Sequence, residues 1–191
     1  MKQLGSTDID TQRLVIRRFM LSDAESAWRN WAGDAYIQDM YGEPVYETVE
    51  KTEELISKYL EWYKKDDFYR WAVIEKASGE CIGLIAFFIV DIYNNSAEIE
   101  YCIGTSFQRK GYASEATRAL IGFGFDKLEL HSVRISHRPT NLASKRVIEK
   151  CGFTYEGAAR DFFLRGGGYE DRMYYSMLEE EYAKTFRSEN S

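Results

Sequence analysis

The chain lacks any hydrophobic stretch that could cross a membrane as a helix. Its longest apolar run is 82–90, nine residues that include a glycine, whereas a membrane-spanning helix needs about 20 apolar residues. The first ten residues are polar overall and have no apolar segment typical of a signal peptide. We therefore expect a cytoplasmic protein that has no membrane as a partner.

Cysteine and histidine are scarce. The three cysteines, Cys81, Cys102 and Cys151, are scattered without paired spacing, which indicates reduced thiols. The two histidines, His131 and His137, fall on one predicted strand about 20 Å apart, at roughly 3.3 Å per residue. We therefore expect no metal site. A nucleophilic Cys102 is also disfavoured, because nothing in the sequence places a histidine beside it to act as base.

An excess of positive charge is also missing. With 25 Lys and Arg against 31 Asp and Glu, the formal net charge is -6, and an acidic chain gives no electrostatic basis for binding nucleic acid. Apolar residues make up 45% of the 191 residues and charged residues 29%, which is ordinary globular composition. This length suits one domain over 1–191, with a core at about 11–178 and a charged tail at 179–191.

Strand and helix patterns are mixed along the chain. Alternation predicts an edge strand at 11–18, and segments separated by turn residues predict strands at 69–75, 80–90 and 97–104. Further strands are predicted at 133–135, 153–163 and 169–178. Helical spacing predicts helices at 22–31, 48–65, 112–128 and 143–150. Ser22 and Glu25 have the spacing of a capping box, and the glycines and proline of 31–48 predict a loop. The order of elements predicts an α+β domain with a mixed, mainly antiparallel sheet.

The segment 97–113 carries the strongest chemical signal. It combines a strand, a short turn and a helix that opens at Gln108-Arg109-Lys110-Gly111-Tyr112-Ala113. The start of a helix exposes free backbone N–H groups at the positive end of its dipole, and these can bind an anion. Gly111 and the small Ala113 allow a pyrophosphate close to the backbone, and Arg109 and Lys110 add positive charge. The alternative is a basic helix start that binds nothing.

Two other phosphate-binding motifs do not fit this segment. The nucleotide P-loop ends in Gly-Lys-Ser/Thr, whereas this turn continues Gly111-Tyr112-Ala113. The dinucleotide fingerprint G-x-G-x-x-G is missing as well.

The Q/R-x-x-G-x-G/A spacing of Gln108, Gly111 and Ala113 resembles motif A of the GNAT acetyltransferases. Further short matches, in order from about 11 to 178, resemble the Rim-type branch, which acetylates the N-termini of ribosomal proteins. They are Thr11-Gln12-Arg13-Leu14 with Arg17, Ala97-Glu98-Ile99, Gly111-Tyr112-Ala113, Pro139-Thr140-Asn141-Leu142-Ala143-Ser144, Glu149-Lys150-Cys151-Gly152-Phe153, Glu156-Gly157 with Arg160, and Tyr169 with Asp171.

This resemblance implies a GNAT-like domain whose sheet is splayed at the cofactor site and flanked by helices. It implies acetyl-CoA as the co-substrate, no metal, and direct transfer of the acetyl group to an amine. The pantetheine would pair with backbone groups of Tyr101, Cys102 and Ile103. The pyrophosphate would lie on the amides of Gln108, Arg109, Lys110, Gly111, Tyr112 and Ala113.

The resemblance also implies which side chains act on the amine and the thioester. Glu98 would be the general base that takes the amine's proton through water, with Glu100 as its rival. Asn141 would contact the pantetheine, and Ser144 would be the acid beside the leaving sulfur. Tyr155 is the alternative acid. From the residues alone, the glutamates could be exposed polar positions on a strand, and Asn141 and Ser144 could be helix caps.

The acceptor is less well defined by the sequence. The Rim-type resemblance favours a protein N-terminal α-amine, and a small amine such as a polyamine, an aminoglycoside or an amino-acid conjugate is the alternative. A hypothesis from another class is a sensor module that binds CoA without catalysis, against which the presence of Glu98 and Ser144 argues. The sequence leaves the oligomeric state open.

Overall fold

Alternating apolar side chains build a central eight-stranded sheet in the computed structural model, which describes residues 1–187. The strands, in chain order, are β1 Ile9–Asp10, β2 Leu14–Arg17, β3 Tyr69–Glu75, β4 Cys81–Asp91, β5 Ser96–Ile103, β6 Ser132–His137, β7 Thr154–Arg165 and β8 Gly168–Leu178. Their spatial order is β1-β2-β3-β4-β5-β6-β8-β7. All neighbours are antiparallel except β5 and β6, which are parallel. The predicted α+β class and mixed sheet are confirmed.

Helices cover both faces of the sheet. They are α1 Ala24–Ala27, α2 Ala35–Tyr41, α3 Val49–Trp62, α4 Tyr112–Gly122, α5 Leu142–Lys150 and α6 Glu179–Tyr182. Wide turns extend α1 to Ala32, α4 to Lys127 and α6 to Arg187. Apolar residues of α1, α2 and α3 pack on one face, and those of α4 and α5 pack on the other. Within residues 1–187, the helices are all too short or too polar to cross a bilayer.

Alternation along the strands divides the core between these two faces. In β3, Trp71 and Val73 lie on the α4 face, whereas Ala72 and Ile74 lie on the α1–α3 face. Trp71 is fully buried, and its ring packs edge-on against Phe123 at a centroid distance of 5.5 Å. Burying large side chains on both sides of a strand excludes water from both faces, which is typical of a central strand.

The segment 31–48, predicted as a loop, contains the helix α2, so that prediction is wrong. Asp34 caps the helix by accepting hydrogen bonds from the amides of Tyr36 and Ile37 at 2.9 and 3.2 Å. Gly42 ends it in the left-handed conformation, with φ of 87°. Gly33 and Gly42 flank a helix of only seven residues, and glycines at this spacing are equally typical of a loop.

The capping box predicted at Ser22 and Glu25 is also wrong. A short 3₁₀ turn precedes α1, and its stabilising side chain is Asp23, which accepts a 2.8 Å hydrogen bond from the amide of Met20. Asp23 also forms an ion pair with Arg17 at 2.7 Å. The hydrogen bond between Asp23 and Arg17 raises the pKa of Arg17, because it outweighs the opposing effect of burial. A partner on β2 therefore decides how this helix begins.

The described part of the charged tail is helical. Helix α6 and the turn after it extend to Arg187, and the ring of Tyr182 stacks on Phe125 at 4.8 Å. Residues 188–191 of the predicted tail lie outside the described residues.

The parallel strands β5 and β6 separate before they end. They pair from Ser96 with Ser132 to Ile99 with Ile135. Beyond that point β5 continues to Ile103 and β6 to His137 without pairing to each other. The sheet is therefore splayed, as predicted, and a gap with its apex at Ile99 and Ile135 connects its two faces.

Candidate active site

One wall of the gap is the end of β5, where two residues point their backbone N–H and C=O groups away from β4 and into the gap. The amide of Gly104 donates to the carbonyl of Ile82 on the β4 side at 2.8 Å. Because backbone groups alternate between the two sides of a strand, Cys102 also faces β4, and Tyr101 and Ile103 face the gap. The structure thus presents the backbone of Tyr101 and Ile103, but not of Cys102, to an extended ligand in the gap.

The loop between β5 and α4 closes one end of the gap. Gln108 donates through Nε2 to the carbonyl of Ile103 at 3.0 Å, so its side chain fastens the loop to β5. Arg109 and Gly111 have positive φ of 61° and 87°, which turns the chain into α4. Gly111 has no side chain to cap α4, so the first amides of the helix remain available to an anion. The side chains of Arg109 and Lys110 are exposed at the rim.

The turn between β1 and β2 holds this loop in place through an ion pair. Glu115, in the first turn of α4, accepts hydrogen bonds from Thr11 Oγ1 at 2.7 Å and from Arg13 N and Nε at 2.8 and 2.6 Å. Arg13 Nη1 also donates to the carbonyl of Lys110 at 2.8 Å, and the Arg13 guanidinium lies 4.6 Å from the Tyr112 ring centroid. No local pattern indicates this contact beyond the family-like Thr11–Leu14 segment, because the partners are about 100 residues apart in the sequence.

Replacing Glu115 by Gln should lower the free energy of unfolding at neutral pH by about 1–3 kcal/mol, the usual value of hydrogen bonds to a charged group. Burial opposes ionisation of Glu115, but the hydrogen bonds from Thr11 and Arg13 prevail and lower its pKa below 4.5. Because the pKa is lower in the folded state than in the unfolded state, ionised Glu115 stabilises the fold at any pH above its ordinary pKa. This stabilisation is lost as the pH falls through the folded-state pKa. Denaturant titrations of both proteins should therefore converge as the pH falls through the lowered pKa of Glu115 in the folded state. If the two proteins differed in their free energy of unfolding by the same amount at every pH, ionised Glu115 would not be the source of the stabilisation.

Glu98 lies at the apex of the gap, on the α1–α3 face of β5. It is only 5% exposed. Its Oε1 accepts a 2.8 Å hydrogen bond from Ser136 of β6 and an ion-pair hydrogen bond from Arg172 of β8. Oε2 has no hydrogen-bond partner among residues 1–187 and is not fully closed off from solvent. A carboxylate held in this way has one oxygen free to accept a proton.

Glu100, the rival base, points to the same face and is held differently. Its Oε1 accepts hydrogen bonds from Tyr41 of α2, at 2.6 Å, and from Arg70 of β3. The Arg70 guanidinium also lies 5.1 Å from the ring centroid of Tyr59. Burial raises the pKa of Tyr41 well above its ordinary value, so this hydroxyl stays protonated and donates to Glu100. This cluster joins α2 to the sheet beyond the apex of the gap.

Ser144 approaches the gap from the opposite face. It lies in the first turn of α5, and its Oγ is 3.1 Å from the hydroxyl of Tyr101. Burial raises the pKa of Tyr101, so its hydroxyl keeps its proton. Asn141 caps α5 by accepting the Ser144 amide at 3.0 Å through Oδ1, and its Nδ2 makes no hydrogen bond within residues 1–187. Asn141 is thus a cap of α5 whose amide N–H groups are not used within the described residues.

Comparison with known proteins fits this geometry. The profile of the family described as "Acetyltransferase (GNAT) domain" matches residues 13–154, which include the gap, the loop before α4 and both glutamates. The chain belongs to the GNAT acetyltransferase family. The family assignment agrees with the resemblance predicted from the sequence, and the chain is an N-acetyltransferase.

GNAT relatives with different acceptors are similar to this chain. The uncharacterized N-acetyltransferase p20 of Bacillus licheniformis is 31% identical over 173 residues, 91% of this chain and 97% of the relative. The spermidine N(1)-acetyltransferase of Vibrio cholerae is 30% identical over 140 residues, 72% and 79% of the two chains. The structure of a proposed ribosomal-protein-serine acetyltransferase from Vibrio cholerae has a TM-score of 0.76 at 28% identity, and covers 92% of this chain and 99% of that one. Membership of the GNAT family therefore leaves the acceptor open.

The GNAT family uses acetyl-CoA as acetyl donor, and the residues present fit this co-substrate. An extended pantetheine arm needs backbone groups that face it, and Tyr101 and Ile103 turn theirs to the gap, where the carbonyl of Ile103 already accepts from Gln108. A pyrophosphate needs uncapped helix amides, which α4 offers after Gly111. Among residues 1–187, no group of three His, Cys, Asp or Glu side chains is arranged to hold a metal ion.

Two alternatives in this GNAT site are poorly supported by the geometry. Tyr155, the alternative acid, is 51% exposed and packs on the ring of Tyr175 at 5.2 Å. The Cys102 side chain lies on the face opposite Ser144, and burial raises the pKa of its thiol, which disfavours a nucleophilic thiolate. Neither histidine is a hydrogen-bond partner of Cys102 within the described part of the chain.

Proposed function

We propose that this GNAT enzyme transfers the acetyl group of acetyl-CoA directly to a protein N-terminal α-amine, with Glu98 as the general base. The observation that carries this proposal is the position of Glu98: buried at the apex of the gap, with one oxygen bound by Arg172 and Ser136 and the other free. A base is required because only the neutral amine attacks a thioester. Glu98 would take the proton through water.

The donor would lie along the gap, with its pyrophosphate on the first amides of α4. Its pantetheine would pair with the backbone of Tyr101 and Ile103, and Nδ2 of Asn141 would donate to it. When bound, acetyl-CoA supplies an activated acetyl group and a thiolate leaving group. Ser144 would hold a proton for that sulfur. The gap opens on both faces of the sheet, so Glu98 and Ser144 would reach the reacting groups from opposite sides.

Two features of the structure suit an acceptor with a single amine beside an apolar group. A cavity of about 270 Å³ lies along β3 and β4 next to Arg70, the partner of Glu100. It is lined by Asp67, Phe68, Tyr69, Arg70, Phe87, Phe88, Val90 and Ile92. The carboxylates of Glu98 and Glu100 are each paired with an arginine, so the site floor has little net charge for a polycation. A protein N-terminus brings one α-amine, and an apolar N-terminal side chain would suit this lining.

A small amine is the second candidate, because the spermidine N(1)-acetyltransferase of Vibrio cholerae is 30% identical to this chain. The test is a screen of thiol release from acetyl-CoA with N-terminal peptides, polyamines and aminoglycosides. We expect the highest kcat/KM with a peptide. Higher values with spermidine would favour the second candidate. Tight CoA binding without turnover on any amine would contradict transfer to all of these acceptors.

Asn141→Ala should weaken acetyl-CoA binding about two- to tenfold, as expected for the loss of one hydrogen bond. Asn141→Ser is the control, because serine keeps the cap of α5 but lacks the amide donor. Calorimetry should show weakened binding in both variants, and thermal unfolding should show lost stability only in Asn141→Ala. Normal affinity in Asn141→Ser would mean that Asn141 only caps the helix.

Ser144→Ala should instead lower kcat by about tenfold and leave acetyl-CoA affinity nearly unchanged, because water can partly replace a hydroxyl donor. Tyr101→Phe is the matched variant, since it removes the partner of the Ser144 hydroxyl but keeps the ring. Steady-state kinetics on both should show the larger loss in Ser144→Ala. An unchanged kcat in Ser144→Ala would remove this residue from the mechanism.

A further inference from the structure

We propose that Arg172 is a positioning residue that orients Glu98 so that Oε2 faces the amine. This inference rests on the proposed function, because it presupposes that Glu98 is the base. Arg172 lies on β8 and Glu98 on β5, with β6 between them. The two are 74 residues apart in the sequence.

Arg172 closes a small network around one oxygen of Glu98. Its Nη2 donates to Glu98 Oε1, and its Nε donates to Ser136 Oγ at 2.8 Å. Ser136 Oγ in turn donates to the same Oε1 at 2.8 Å. The side chains of Glu98 and Arg172 are only 7% and 12% exposed. With Oε1 bound by two donors, the carboxylate has one orientation, and Oε2 is its only free oxygen.

Aromatic rings fix the guanidinium on its other side. Arg172 lies 4.8 Å from the ring centroid of Phe162, 4.9 Å from that of Tyr174 and 6.0 Å from that of Phe163. The register of β7 against β8 shifts between Ala159 and Phe163. Such a bulge changes the direction of side chains, and here two consecutive phenylalanines contact the same arginine. These cation–π contacts hold Arg172 where it reaches Glu98.

Removal of Arg172 would leave Glu98 buried with a single hydroxyl donor. An uncompensated buried carboxylate is costly and either takes up a proton or moves toward solvent. Both outcomes remove the base from its working position. Arg172 touches neither the amine nor the donor in this proposal, so its effect on the rate should pass entirely through Glu98.

The experiment is a double-mutant cycle of Arg172→Met and Glu98→Gln, with kcat on a peptide acceptor and acetyl-CoA affinity as readouts. Arg172→Met should lower kcat by about 10–100-fold, as a misplaced catalytic group does, with acetyl-CoA affinity within about twofold of wild type. In the Glu98→Gln background, Arg172→Met should change kcat by less than about twofold, because the group it orients is already lost. Arg172→Lys should recover part of the rate, since it keeps the cation but not the planar fork.

Arg18→Met is the matched control. Arg18 also has a cation–π contact, at 5.1 Å from the Tyr63 ring centroid, and a 2.7 Å hydrogen bond to Ser6 O, but it contacts no residue of the gap. It should leave kcat unchanged. Thermal unfolding reports whether each variant folds. Should Arg172→Met fail to fold, Arg172→Lys and Ser136→Ala probe the same network in the same cycle.

Two results would overturn the proposal. One is a wild-type kcat in Arg172→Met, and the other is a loss of kcat in the double variant that equals the product of the two single losses. The first would mean that Glu98 needs no orientation, and the second that Arg172 acts independently of it. A wild-type kcat in Glu98→Gln alone would instead show that the base in the proposed function is wrong. The single variants therefore distinguish a wrong role for Arg172 from a wrong choice of base.

Discussion

Glu98→Gln should lower kcat at neutral pH by about 10²–10⁴-fold, the usual contribution of a general base. The amide keeps the size of the side chain and can still accept from Ser136, but it cannot take a proton. Acetyl-CoA affinity should stay nearly unchanged, because Glu98 lies at the apex of the gap rather than along the donor's wall. The loss should shrink as pH rises, since the amine then loses its proton to water. A pH–rate profile with saturating acetyl-CoA measures this.

Glu100→Gln is the matched control for the base, because both glutamates lie on the same strand and face and each has one oxygen bound by an arginine. We expect a much smaller loss of kcat in Glu100→Gln, together with reduced stability from the weakened contacts with Tyr41 and Arg70. A large loss in Glu100→Gln with a wild-type kcat in Glu98→Gln would mean that the base is two residues further along β5. If neither variant loses rate, the enzyme works by positioning its substrates.

Gly111→Val should remove most of the acetyl-CoA affinity. Gly111 has φ of 87°, where a β-branched residue is strained, and an added Cβ would lie 3.3 Å from Arg13 Nη2. The new side chain would stand before the first amides of α4, where the pyrophosphate is proposed to bind. Calorimetric titration with acetyl-CoA and with CoA should show the same loss, because the two ligands share the pyrophosphate.

Gly79→Val separates backbone strain from the loss of binding. Gly79 has φ of 74°, but an added Cβ there meets nothing within 4 Å. Both valines should therefore cost similar strain, about 1–2 kcal/mol in the left-handed region, and only Gly111→Val should weaken binding. Unchanged affinity in a folded Gly111→Val protein would contradict the proposed pyrophosphate site.

The fold was predictable from the sequence wherever the signal was local. The apolar runs of β3 and β4, the alternation of β5 and the periodicity of α3 and α4 are contained within single segments, and the predicted positions agree closely with the structure. The short helix α2 was missed because its caps, Asp34 and Gly42, are also typical loop residues. Asp23 was missed at the start of α1 because its partner Arg17 is on another element.

The candidate site was predictable only in part for the same reason. The turn at 108–113 indicated the loop before α4, and the family resemblance indicated Glu98, Asn141 and Ser144. The structure places Glu98 at the apex of the gap and Ser144 beside Tyr101 on its wall. No pattern could show that Glu115 is bound by Arg13, about 100 residues away. Nor could it show that the two glutamates of β5 have different arginine partners. These contacts exist only after the chain has folded, and they determine which oxygen atoms remain free.

The most direct test of the central claim is a competition assay that offers the enzyme limiting acetyl-CoA with equal concentrations of an N-terminal peptide and spermidine. Mass spectrometry then locates the acetyl group. We predict acetylation on the peptide α-amine, equal in amount to the free CoA released, and little acetylspermidine. Acetyl groups found only on spermidine, or only on lysine side chains of the peptide, would contradict the account.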